Sequence, residues 1–307
     1  MNTTASQNNS LKRALVLGGG GSTGNAWLIG VVAGLLEAGV DATKAELIVG
    51  TSAGSTAAAQ ITGANPAELF AAVVDAESQR PSKAEPNSGR VRGASGHMER
   101  TARIIADSED AADMRRRLGA AALELQADLD SSTLDRWRAT VASRLPRQDW
   151  PAQDLLITAV NARTGEPAAF HRGSGVGLAD AVAASCSSGF AYSIGSDAYI
   201  DGGYRTNADN ADLAAGYGKV LVLSPFGGRT RTPVAWGLDL ATQVRNLRAG
   251  GSTVETIFPD TSSEHLFGPN AMDLSLRPAA ARAGHELGKG LGEKLGDLWN
   301  TPVGLTQ

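Results

Sequence analysis

Cysteine is nearly missing from this 307-residue chain: Cys186 is the single one, so no internal disulfide framework can hold the fold, and a reducing compartment suits the composition. Histidine is scarce too. His97, His171, His265 and His285 are scattered without any paired ligand spacing, so neither a metal nor a cofactor is expected. Positive charge is not in excess, with 28 Lys and Arg against 32 Asp and Glu and a formal charge of -4, which gives no reason to expect nucleic acid as a partner. Long apolar runs are absent. The longest, residues 26–36, falls short of the about 20 residues that span a bilayer and reads as a helix buried against a sheet. Residues 1–12 are polar and lack the apolar core of a secretory signal, so they read as a disordered tail and the expected location is cytoplasmic. What remains is a globular balance, 42% apolar and 20% charged, in a chain long enough to bury a large core.

Glycine is abundant, and its clusters fall where apolar runs end. Residues 13–17 are apolar and lead into GGGGSTG at 18–24, after which 25–38 has helix-forming composition: strand, glycine loop, helix. Gly30 and Gly34 share one helical face, which would allow close packing on the sheet. A second run, 46–49, enters GTSAG at 50–54 and then a small-residue helix to about Ile61. Asn65-Pro66 reads as an N-cap and N1 pair opening a helix through Glu77.

Residues 79–96, rich in Pro, Gly, Ser and basic side chains, read as a mobile loop, either a solvated connection or a contact with a lipid surface. Residues 99–129 and 133–145 have helical periodicity, with Ile104, Ile105, Met114, Leu118, Leu123, Leu125, Leu129, Leu134 and Trp137 as the apolar set. Residues 79 to about 150 thus form a helical insertion on a single domain spanning 13–307. Beyond it, 154–160 and 167–171 flank a glycine-containing turn as a hairpin, and a helix covers 178–186. A short strand at 198–200 runs into Asp201-Gly202-Gly203, strands follow at 220–223 and 253–258, and an amphipathic helix at 278–299 closes the chain. Strands alternating with helices argue for a layered α/β fold around a mostly parallel sheet.

The turn at 50–54 carries the clearest chemistry. A G-x-S-x-G sequence at a strand-to-helix junction holds its serine in a strained backbone conformation, while Gly50 and Gly54 let strand and helix approach. Ser52 then stands at a helix N-terminus, where amide hydrogens favour developing negative charge; the alternative is an ordinary turn with a capping serine. Parallel neighbours open at one edge, so the loop at 18–24 can sit beside Ser52 and offer the amides of Gly20, Gly21 and Ser22 as an oxyanion hole. A serine hydroxyl also needs a proton acceptor. His171 ends a strand and is either that acceptor or a strand-end surface histidine. Asp201 also ends a strand, ahead of two glycines, and is either a base whose pKa burial raises or part of a surface turn. Gly19-x-Gly21-x-x-Gly24 after a strand also fits a dinucleotide fingerprint, but Gly50-Thr51-Ser52 stands where that reading wants an acidic residue.

GGGGSTG at 18–24, GTSAG at 50–54 and DGG at 201–203, in this order, resemble the patatin-like phospholipase family over roughly residues 13–210. The resemblance implies a three-layer α/β/α sandwich with a mostly parallel central sheet. It implies a Ser-Asp dyad without histidine, with Ser52 as nucleophile and Asp201 as base. It further implies motif glycines at Gly19, Gly21, Gly24, Gly50, Gly54, Gly202 and Gly203, with oxyanion donors at Gly20 and Gly21. The stretch ASCSSG at 184–189 is similar to the family's segment before the aspartate strand, and Asn207 falls where an asparagine usually follows. Ser22-Thr23 stands in place of a basic residue, Gly189 in place of a proline, and Ala208-Asp209 where a proline is usual. The activity implied is metal-independent hydrolysis of fatty-acyl esters of phospholipids or lysophospholipids through an acyl-enzyme. Alternatives are a carboxylesterase on other small or neutral lipid esters and a non-catalytic lipid- or nucleotide-binding protein. The implied partners are a lipid ester and, transiently, a membrane surface.

Overall fold

The structure, a computed structural model, describes residues 12–75 and 88–300. Residues 1–11 of the expected tail and 79–87 of the expected loop lie outside the described residues. The chain begins as two strand-to-helix units: β1 (Arg13–Leu17) leads into α1 (Gly21–Glu37), and β2 (Leu47–Gly50) into α2 (Ala53–Gly63). α3 (Pro66–Asp75) follows, its start marked by Asn65 Oδ1 accepting the Ala67 amide at 2.8 Å. Three helices come next, α4 (Ser88–Ala106), α5 (Ala111–Ala127) and α6 (Ser131–Ala142). The hairpin β3 (Asp154–Asn161) and β4 (Pro167–Phe170), α7 (Leu178–Ser185), and a second hairpin β5 (Tyr192–Ile194) and β6 (Asp197–Asp201) lead back into the sheet. β7 (Lys219–Leu223), α8 (Leu240–Ala249), β8 (Thr253–Ile257), α9 (Arg277–Gly290) and α10 (Gly292–Asn300) complete the order.

The sheet is mixed and mostly parallel, in the order β5-β6-β3-β2-β1-β7-β8 with β4 on β3. Alternate residues of its central strands feed two separate cores. Leu15, Leu17, Ile48 and Leu221 pack under α1, α2, α7 and α9, whereas Ala14, Val16, Val49 and Val222 pack under Leu240, Val244 and Leu247 of α8. Both faces are covered, which is why RALVL and LIVG carry no polar side. The result is the three-layer α/β/α arrangement. Among the described residues no helix is long and apolar enough to cross a membrane.

Two strands meet end to end on β3. At Ile157 the partners are Gly50 of β2 and Phe170 of β4, and at Ala159 they are Ala168 of β4 and Asp201 of β6. β2 and β6 therefore share the edge of β3 away from β4. They run in opposite directions, so their last residues, Gly50 and Asp201, face each other across Thr158. This register brings together two turns whose Ser52 and Asp201 are 149 residues apart in the chain.

Several expectations change. α1 starts at Gly21, four residues before the composition suggests, because tertiary partners hold its first turn: Thr23 donates its amide to the Ala271 carbonyl at 3.0 Å and Pro225 packs on Gly20 and Gly24. Residues 88–96, expected as loop, lie in α4. The helical pattern over 99–129 breaks at 107–110, where Asp110 caps α5 by accepting the Asp113 amide at 2.7 Å. Leu125, placed in the apolar set, is exposed, while Ile105, Met114, Leu118 and Ala122 cover the β3–β6 extension at Val160, Ala198 and Ile200. The closing helix divides at Leu291, where Gly288, Gly290 and Gly292 weaken it. Gly30 and Gly34 do share a face, but it meets α9 and not the sheet. A β-carbon at either would strike the carbonyl of Ala281 or His285, and one at Gly284 or Gly288 would strike that of Trp27 or Val31. α1 and α9 thus run in the same direction at backbone contact.

Candidate active site

Ser52 follows Thr51 between β2 and α2 as the residue that caps the helix, and its backbone sits at φ 52°, ψ -117°. A side-chain-bearing residue pays about 1–3 kcal/mol to occupy such a region, so the surroundings must hold it there. They do so through both of its peptide groups. The Ser52 amide donates to Ser185 Oγ at 2.9 Å, and its carbonyl accepts from Cys186 Sγ at 3.1 Å and from Ser55 Oγ at 2.6 Å. Burial pushes the Cys186 thiol up to about 11, so it stays a neutral donor. Strand and helix come together at Gly50 and Gly54: a β-carbon at Gly50 would lie 2.6 Å from Ser55 Cα, and one at Gly54 would collide with the Leu17 carbonyl.

Asp201 arrives from the opposite direction as the last residue of β6. Its Oδ2 accepts the Ser52 hydroxyl at 2.8 Å, its Oδ1 accepts the Gly203 amide at 2.8 Å, and its own amide donates to the Ser187 carbonyl at 2.9 Å. The residue is 8% exposed. Burial raises the carboxyl to about 6, against the lowering pull of the Gly203 amide, the Ser52 hydroxyl and the Arg231 charge. At neutral pH it is mostly ionised yet far more basic than a surface aspartate. Gly202 allows the turn because a β-carbon there would run into Thr158. Asn210 ties the two turns: its side-chain amide donates to Thr51 Oγ1 at 3.0 Å and to the Gly202 carbonyl at 2.9 Å.

The glycine loop lies alongside. Gly19 packs against the Ser52 side chain, and its amide is taken by the Ala208 carbonyl at 2.7 Å. The amides of Gly20, Gly21 and Ser22 meet no acceptor among the described residues, and they stand at the N-terminus of α1, where the helix dipole favours an anion. Gly21 has φ 64°, a left-handed turn that glycine adopts without strain. A cation also reaches this loop, from the start of α9. Arg277 Nη1 donates to the Ser22 carbonyl at 2.7 Å and to Ser22 Oγ at 3.1 Å, and Nη2 donates to Asn25 Oδ1 at 3.1 Å.

His171 does not join this group. It is exposed at the end of β4, on the other edge of β3, where its Nδ1 accepts the Gly173 amide at 3.1 Å. Asn207 braces the segment after the aspartate: its Oδ1 accepts the amides of Asp209 and Asn210, and its Nδ2 donates to the Leu238 carbonyl at 2.7 Å. Sequence reasoning gave no role to Ser185, Asp209, Asn210 or Arg277. Asp209 is buried under Gly18 with no hydrogen-bond partner on Oδ1. Ser185 sat in a stretch already singled out, whereas no local pattern announces Arg277, 255 residues from Ser22.

A hydroxyl bonded to a buried, raised carboxylate beside three unengaged amides is equipped to attack a carbonyl and to hold the charge that forms. Residues 15–214 match the family model for patatin-like phospholipases. None of the curated proteins matches the chain.

Proposed function

Because this chain belongs to the patatin-like phospholipase family, we propose that it cleaves fatty-acyl esters of phospholipids or lysophospholipids with Ser52 and Asp201 as its catalytic pair. The carrying observation is the 2.8 Å bond from the Ser52 hydroxyl to Asp201 Oδ2. Ser52 Oγ attacks the ester carbonyl carbon while its proton passes to Asp201. The carbonyl oxygen becomes an oxyanion and accepts hydrogen bonds from the Gly20, Gly21 and Ser22 amides, each such donor being worth about 3–4 kcal/mol in the transition state. Collapse breaks the bond to the alcohol, which leaves with the proton from Asp201. Water then attacks the acyl-enzyme by the same route, giving up its proton to Asp201, which passes it to Ser52 Oγ as the bond to the acyl group breaks and the fatty acid leaves.

A carboxyl at about 6 suits this role, since it is ionised at neutral pH and still basic enough to take a proton as attack proceeds. The test is a panel of phospholipid, lysophospholipid, triglyceride and short p-nitrophenyl esters run on wild type, Ser52→Ala, Asp201→Asn and His171→Ala, with fluorophosphonate labelling alongside. Expected are an adduct on Ser52, no turnover in Ser52→Ala, a loss of about 10²–10⁴-fold in Asp201→Asn, and full turnover in His171→Ala. An inactive His171→Ala beside an active Asp201→Asn would overturn the pairing. Turnover confined to the short esters would move the substrate class to carboxylesters.

A further inference from the structure

An ester held at Ser52 has two ends to place. The alcohol leaves with the proton that Asp201 returns, so it faces Asp201, and the acyl chain runs the other way, past the glycine loop. The two sides differ in room. On the Asp201 side the Tyr204 hydroxyl donates to the Ser188 carbonyl at 3.1 Å and meets His97 Nε2 at 3.2 Å. The recess that these residues line holds about 20 Å³, little more than one water molecule needs.

On the glycine-loop side a cavity of about 200 Å³ opens between α1, α2, α3 and the start of α9. Ile29, Leu69, Val73 and Leu274 make its apolar wall, with Gln60 and Arg277 as polar members. Both polar side chains are engaged with the protein. Gln60 Oε1 accepts Asn25 Nδ2 at 2.9 Å, Gln60 Nε2 donates to the Arg144 carbonyl at 3.1 Å, and Arg277 is bonded to Ser22 and Asn25. What the cavity offers a ligand is therefore hydrocarbon surface, and an apolar cavity of about 150 Å³ already takes a benzene ring. The space exists because α3 packs loosely: within it only Pro66 is buried, while Leu69 and Val73, one turn apart, are half-buried.

Arg277 joins this cavity to the candidate site. It lines the cavity and also holds the carbonyl and hydroxyl of Ser22, whose amide is one of the three at the start of α1. Gly21, Ser22 and Arg277 are all half-buried, so the way between runs along accessible surface. Gln60 lies two turns beyond Ser52 along α2, and Ile29 two turns beyond Gly21 along α1, which is about 12 Å in each helix. An extended hydrocarbon advances roughly 1.3 Å per carbon, from bonds of about 1.5 Å, so a group of about ten carbons reaches the far wall and a butyryl group stops short.

We propose that this cavity receives the acyl chain of the ester held at Ser52, and that Leu69 and Val73 set the chain length the enzyme prefers. The proposal rests on the hydrolase reading for the reaction and adds to it the side on which the acyl group lies. Chains too short to enter gain nothing from the cavity, and each methylene that enters is worth about fourfold in kcat/KM.

The test is kcat/KM for p-nitrophenyl esters from butyryl to dodecanoyl, each below the concentration at which it aggregates, on wild type, Val73→Phe and Leu69→Ala. The readout is the ratio of the decanoyl to the butyryl ester, which a change in the amount of folded enzyme leaves untouched. Val73→Phe fills the cavity and should lower that ratio at least tenfold, the loss of about two methylenes. Leu69→Ala enlarges the cavity and should move the best substrate to a longer chain; it carries the test if Val73→Phe does not fold. Chain-length profiles in both variants that parallel the wild type would overturn the proposal. Decanoate binding to Ser52→Ala, followed by titration calorimetry, needs no turnover, and adding Val73→Phe should weaken it at least tenfold. That weakening in a protein whose wild type hydrolyses no ester would sink the hydrolase reading and leave an acyl site standing. Ester turnover with an unmoved profile would keep the reading and remove the cavity from it.

Discussion

Asp209→Asn should stabilise the protein, and by an amount that depends on pH. The Asp209 side chain is 1% exposed, its Oδ1 has no hydrogen-bond partner, and a hydrogen bond from Ser224 lowers the carboxyl only part of the way that burial raises it, to about 7. In the unfolded chain the same carboxyl titrates at its ordinary 3.8. Between those values the folded state binds more protons than the unfolded one, so stability falls as pH rises through this window. The contribution is fully present below 3.8 and gone above about 7. That difference corresponds to roughly 4 kcal/mol over the whole range, of which roughly 3 kcal/mol falls between pH 5 and pH 8. Asparagine cannot ionise, so the variant should gain on the wild type by roughly 3 kcal/mol between pH 5 and pH 8. Any fixed cost of burying the new amide, about 1–3 kcal/mol, is the same at both values and cancels. Urea unfolding followed by tryptophan fluorescence at the two pH values measures this directly. A variant whose advantage is flat across that interval would refute the buried-carboxylate account.

Other consequences are open to measurement. For a proton acceptor held at about 6, kcat/KM on a soluble ester should rise tenfold per pH unit below that value and level off above it, and a limb centred near 4 instead would mean that Asp201 is solvated in the working enzyme. Ser185→Ala leaves the Ser52 amide without its acceptor, so it should cost about 1–3 kcal/mol of stability and lower kcat more than it raises KM; rescue by Ser185→Thr would separate the lost hydroxyl from a lost volume. Gly284→Leu drives a side chain into the Trp27 carbonyl and should lower stability by about 3 kcal/mol or more, seen as a fall in Tm, whereas the same change at exposed Gly290, where a β-carbon meets nothing, should cost far less.

The strand-to-helix units at 13–37 and 47–63 are legible in the sequence because apolar runs of strand length end in glycine. The hairpin at 154–170 is legible for the same reason, with Gly165 in its turn. α8 escapes notice although Asp239 ahead of Leu240, Val244 and Leu247 is an ordinary cap and helical spacing. β5 escapes because three residues are too few to carry a period. The meeting of Ser52 with Asp201 rests on a register in which two strands share one edge of a third. No window of sequence contains that register, although the motifs GTSAG and DGG point to it. Gly30 and Gly34 mark close packing correctly, but which neighbour packs is a tertiary fact. Arg277 and Ser185 act on the site from elements whose nearness is decided only when the sheet closes.

The glycine-lined seam between α1 and α9 sets a timetable for synthesis. The nascent chain carries Ser52, Asp201 and the whole stretch matched to the family before residue 277 leaves the ribosome, yet α1 still shows its bare backbone face to water and Ser22 still lacks its arginine. Competence should therefore come late and all at once, as the last helices dock. A ribosome-held chain stalled before Arg277 should take up no fluorophosphonate, while one stalled far enough beyond Asn300 to free α9 from the exit tunnel should label at Ser52.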